Sequence, residues 1–141
     1  ATADGSLGRA LEATADGFVV ARETAGRVLM QAASTADPSR RLDTAKALMA
    51  QAGSGGALDR EHLAVQLRAM ASLVRDVELI ASRGDTAALA NPDVRPVLDR
   101  LLPAFQGDRG IRAFRAIDQA LEALERNAGV KVVADWLVLA L

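Results

Sequence analysis

The sequence predicts an all-α fold, a single bundle of about six or seven helices, on three observations. Alanine and leucine are abundant while aromatics make up 3% of the 141 residues, with no tyrosine, a composition that favours helix over strand. Apolar residues recur at spacings of three and four rather than alternately. Glycine, proline, asparagine and aspartate cluster at the breaks between these periodic stretches. The length suits one domain with a sizeable core. A chain that is 50% hydrophobic and 25% charged is globular rather than disordered. No fixed period of solenoid type runs through it.

Taken in order, Ser6 is placed to cap a short first helix, and Asp16 to cap a second that runs to about Ala33. Asp37 before Pro38 reads as an N-cap with proline at the first helical position, and Asn91-Pro92 reads the same way. Gly53 to Gly56 is a linker. The longest segment, Asp59 to Arg83, gathers Leu63, Leu67, Met70, Leu73, Val74, Val77, Ile80 and Ala81 on one face. Val65 and Leu79 fall opposite. Exposure on an ordinary surface is the expectation for both, the alternative being a central helix covered on two sides. From Asp108 to Asn127 a cleaner amphipathic helix places Ala113, Phe114, Ile117, Ala120, Leu121 and Leu124 on one face.

The last segment, Val130 to Leu141, carries charge only at Lys131 and Asp135. A helix this apolar is buried in a core or an interface. It is too short to span a bilayer, and one lysine does not make the basic face of a membrane-surface helix. Helix is preferred to strand here, because an all-helical chain offers no sheet to join.

Catalytic and metal-binding patterns are not found. With 17 basic and 18 acidic residues there is no overall basic field for nucleic acid. The absence of cysteine excludes disulfides, thiolate chemistry and cysteine-type zinc sites, and fits a reducing cytoplasm. His62, the single histidine, stands in HLAVQLR without the Lys and Gly that follow a phosphoryl-accepting histidine, so a solvated helix histidine is expected. Acidic residues are spread singly, without a calcium-loop pattern. The sequence therefore assigns no catalytic, cofactor-binding or metal-ligating residue, and no cofactor. One basic stretch, Arg95 to Arg115, holds five arginines against two aspartates. Arg109, Arg112 and Arg115 form a weak candidate patch for phosphates or acidic partners, with a solvated helix face the preferred reading.

Three stretches together carry a resemblance. DGSLGRALE at 4–12, ANPDVRPVLDRL at 90–101 and IDQALEALERNAGVKVVADWLVLAL at 117–141 resemble the C-terminal region of the bacterial DNA polymerase III delta-prime family. The resemblance covers most of the chain. It implies residues 1–15 as a junction from an N-terminal ATPase-like and lid region, residues 16–141 as a collar-like helical bundle, and a chain that is an excised domain. It also implies a cytoplasmic, non-enzymatic assembly role in the clamp loader. The partners would be the gamma/tau and delta-type subunits, with the sliding clamp and primed DNA met only by the whole complex.

ATP-hydrolysing relatives in that machine carry a Gly-Ser-x-Arg-Asp-Ala pattern whose arginine senses nucleotide. Here Gly8 stands at the arginine position and Arg9 at the aspartate position, which implies no nucleotide sensing by this element. On the collar reading, Trp136, Leu139 and Leu141 are the candidate subunit-interface residues, with Trp136 as anchor. The other functional classes that the sequence leaves open are a free-standing helical module that binds a partner helix in a groove and, behind it, a nucleic-acid-binding bundle.

Overall fold

The computed structural model describes residues 15–49 and 56–141. Among these residues six α-helices and two 3-10 turns carry the chain, with no strand, as an all-α bundle requires. The expected Ser6 cap and the Gly8-Arg9 element lie outside the described residues.

Helix α1 spans Ala15–Ser34, so Asp16, expected as its cap, is already helical. It buries Ala21, Ala25, Val28, Leu29 and Ala32, a stripe of mostly small side chains that lets neighbouring helices approach closely. A Cβ at Gly26 would lie 3.4 Å from Val97 Cγ1, which shows how near the helix that carries Val97 comes. Helix α2, Pro38–Leu48, starts as predicted: the Asp37 carboxylate accepts from the Ser39 amide at 3.2 Å, and Pro38 needs no amide partner there.

Helix α3, Ala57–Ala81, is the central element and packs against α1 and against the three helices that follow it in the chain. The expected exposure of Val65 and Leu79 does not hold. Val65 is only 6% exposed and Leu79 is half-buried against the core. The covered-on-both-sides alternative is the observed one, because helices pack on α3 from more than one side.

Helix α3 also holds the polar anchor of the fold. The buried Asp76 carboxylate accepts from the Ala90 amide at 3.0 Å, the Asn91 amide at 2.7 Å and Asn91 Nδ2 at 2.9 Å. Asn91 Nδ2 also donates to Ser72 Oγ at 2.9 Å. Asn91 therefore does not cap a helix as its sequence context suggested. Its side chain makes no cap bond and is turned inward to α3, while Pro92–Val94 forms only a 3-10 turn. A carboxylate that accepts several N–H groups is satisfied even where water is excluded. The turn is fastened on its outer side by Arg22, whose guanidinium grips Asp93 through two bonds of 3.0 and 2.6 Å.

Helix α4, Arg95–Phe105, holds Pro103 inside its last turn, where the missing amide costs one ladder bond while the Gln106 amide still reaches the Leu102 carbonyl at 3.1 Å. Gly107 then turns the chain at φ 68°, a conformation open to glycine. Helix α5, Asp108–Glu125, follows at once. Gly110 sits against the end of α4 so closely that a Cβ there would meet the Phe105 carbonyl oxygen at 2.0 Å. The predicted apolar face of α5 is observed, with Ala113, Ile117, Ala120 and Leu124 buried and Phe114 and Leu121 partly so. Asn127 ends it at φ 63°, and the Ala128 amide reaches back to the Ala123 carbonyl at 3.0 Å. This six-to-one closure with a left-handed residue satisfies a carbonyl that the helix leaves open.

Helix α6, Val130–Ala140, runs back across the bundle against α2 and α5. Leu29, Leu63, Leu67, Met70, Leu73, Leu98, Leu101, Phe105, Ile117 and Leu137 form the fully buried centre on which these helices meet. None of the helices among the described residues is long and apolar enough to cross a membrane.

Candidate functional site

Helix α6 has two apolar faces with different fates. Val133, Ala134, Leu137 and Val138 are buried, at the three- and four-residue spacing of an inward stripe. Val132, Trp136 and Leu139 lie on the other side and are 69%, 43% and 45% exposed. Their spacing of four and then three residues aligns them along one face of the helix. Exposed large aliphatics and an indole on one face mark a place for contact rather than ordinary surface. Beside them Lys131 and Asp135 pair across one turn at 2.6 Å, so this flank carries no net charge.

Two of the three interface residues expected from the sequence, Trp136 and Leu139, belong to this stripe. Leu141 does not. It is 6% exposed and belongs to the core, so that expectation is corrected: the chain turns its last side chain inward. Sequence reasoning missed Val132, although its position four before Trp136 carries the signal. Alongside the stripe, α2 and α6 enclose a shallow groove of about 480 Å³, lined by Leu42, Ala45, Met49, Lys131 and Asp135 among others.

The basic candidates separate into different tasks. Arg109 is partly buried and lies 5.1 Å above the Phe105 ring. It donates through Nη2 to the Ala32 carbonyl at 3.1 Å and through Nε to the Leu141 carbonyl at 3.4 Å. Burial first, and then the nearby charges of Arg41 and Arg112, push its pKa below the ordinary arginine value. Arg112 is exposed. Arg115 lines a separate groove of about 430 Å³ between α3 and α5, shared with Arg75, Leu79, Ile111 and Phe114. Arg112 and Arg115 are thus both exposed, as on a solvated helix face, while Arg109 is drawn down onto carbonyls.

Arg41, which the sequence did not single out, joins Arg109. Its Nη2 donates to the same Ala32 carbonyl at 3.0 Å and its Nε to the Thr35 carbonyl at 2.8 Å. Its Nη1 reaches the Val138 and Leu139 carbonyls, each at 3.4 Å. Cations at helix C-termini satisfy open carbonyls and meet the negative end of the helix dipole. Two guanidiniums thus bind the end of α1 to the end of α6. No local pattern could have revealed a contact between residues so far apart in sequence.

His62 is half-buried on α3, and no group of three metal-ligating side chains occurs among the described residues. With the geometry established, comparison with known proteins adds no relative: no protein-family model, curated protein or solved structure matches the chain.

Proposed function

We propose that this chain is a non-catalytic assembly domain, the collar of a delta-prime-type subunit of a bacterial clamp loader, working in the cytoplasm. The observation that carries the reading is the exposed Val132–Trp136–Leu139 stripe on a helix whose opposite face is core. A helix apolar on both sides has one side to give to a neighbour. The resemblance of 4–12, 90–101 and 117–141 supplies the identity of that neighbour: the helical C-terminal domains of gamma/tau and delta-type subunits. The rest of the loader, not this domain, would then drive clamp opening and meet primed DNA.

The test is light scattering after size-exclusion chromatography, on the chain alone and mixed with those domains. A stable mixed complex is expected. Trp136→Ala should weaken it by about 2 kcal/mol, the scale of an interface anchor, while thermal stability falls much less. A chain that ignores those domains, or a Trp136→Ala variant that loses folding and assembly equally, would overturn the reading.

A further inference from the structure

The apolar stripe of α6 runs toward a concentration of positive charge. Arg41 and Arg109 both lie within 3.1 Å of the Ala32 oxygen. They also reach the Val138, Leu139 and Leu141 carbonyls at the end of α6. Arg112 stands one helical turn beyond Arg109 and is exposed. None of the three is ion-paired with an aspartate or glutamate side chain among the described residues. The C-terminal ends of α1 and α6 together supply about one unit of negative charge, and the Leu141 carboxylate of the 141-residue chain, 3.4 Å from Arg109, supplies another, against these three cations. A surplus of positive charge therefore remains at one end of the stripe. At the other end the Lys131–Asp135 pair is neutral. The surface has a direction.

We infer that this face receives an amphipathic helix of another protein, laid antiparallel to α6, with its apolar side on Val132, Trp136 and Leu139 and its acidic first turn facing Arg112. The inference rests on the assembly reading of the stripe and adds the chemistry and orientation of the partner. Orientation follows from two preferences that agree. Carboxylates are favourable in the first turn of a helix, and the cationic cluster sits at the C-terminal end of α6. A partner helix that satisfies both begins where α6 ends. Hydrophobic burial along the stripe supplies attraction, and the charged end selects register and partner.

The test titrates the 141-residue chain with three synthetic helical peptides of about 18 residues, long enough to hold helix when docked. All share one leucine stripe. The first carries glutamates in its first turn, the second carries them in its last turn, and the third carries lysines in its first turn. Fluorescence of Trp136, the one tryptophan in the sequence, reports binding. The first peptide should bind about tenfold more tightly than the third, with the gap narrowing as salt rises. Arg112→Glu should reverse that order, and the milder Arg112→Gln should narrow it, with circular dichroism confirming the fold of both. The second peptide should bind more weakly than the first.

Equal binding of all three, no binding by any, or an unchanged order in Arg112→Glu would overturn the inference. So would self-association of the chain that Trp136→Ala abolishes while no peptide binds, since the occupant would then be a second copy. Failure here is separable from failure of the loader reading. If loader domains bind through Trp136 but Arg112→Glu has no effect, the loader reading stands and the acidic helix falls. If the first peptide is selected while loader domains are ignored, the reverse holds.

Discussion

Asp93 illustrates how one exposed side chain can report on a buried arrangement. The Arg22 hydrogen bond comes first among the causes that hold its carboxyl below the ordinary value of 3.8. Arg22 itself is largely covered: it lies 4.8 Å above the Phe18 ring and also touches Asn91. A carboxyl with a lowered folded pKa adds stability above its unfolded value, and that contribution is lost as pH falls through the folded one. The loss therefore falls on the acid side of 3.8. Asp93→Asn should melt with a smaller decline from about pH 4 down to about pH 2 than the parent protein. Thermal melts across that range decide it, and an identical decline in both would mean that the bond contributes nothing. Asn91 lies beside this pair, and its cap-like context in Asn91-Pro92 was legible only as local chemistry. Asp76, which turned it inward, comes from another helix, so no short-range pattern could disclose it.

At the scale of elements, the junction between α4 and α5 depends on two glycines for different reasons. Gly107 supplies the left-handed turn, and Gly110 allows backbone to meet backbone. Gly110→Ala sets a methyl against a carbonyl oxygen that cannot move without shifting the end of α4. It should cost about 1–3 kcal/mol, the range for overpacking, although alanine is the better helix former. Urea denaturation measures it, and a variant as stable as the parent would show that the two helices can part freely. The start of α2 and the boundaries of α3, α5 and α6 were largely visible in the sequence, because caps, breakers and apolar periodicity agreed there. What failed were judgements about which face is covered. Val65 is buried because several helices pack on α3, and Leu141 because the chain end folds back onto the core. Such facts belong to the meeting of elements and leave no trace within one. The α6 stripe was half legible for the same reason, since Trp136 and Leu139 stand out by size while Val132 gains meaning only when its neighbours are placed.

For the whole molecule, stability is concentrated where α3 meets the other helices. Leu67 has no exposed surface and lies among aliphatic side chains and a methionine with few aromatics to fill a gap. Leu67→Ala should cost about 2–5 kcal/mol, a large share of the stability of a domain this size, and calorimetry would register it as a lower melting temperature. A loss well under that range would mean that the core collapses around the missing atoms. The pairing of α2 with α6 has a different consequence, which concerns time. Arg41 on α2 must wait for the Val138 and Leu139 carbonyls, 97 and 98 positions downstream. At ribosomal speeds of about 5–20 residues per second, Arg41 emerges roughly 5–20 seconds before the carbonyls it will bind have been made. During each round of synthesis the nascent chain therefore passes through an interval with an open seam. In that interval only α1 is there to pack on α2, and the face that will meet α6 stays uncovered.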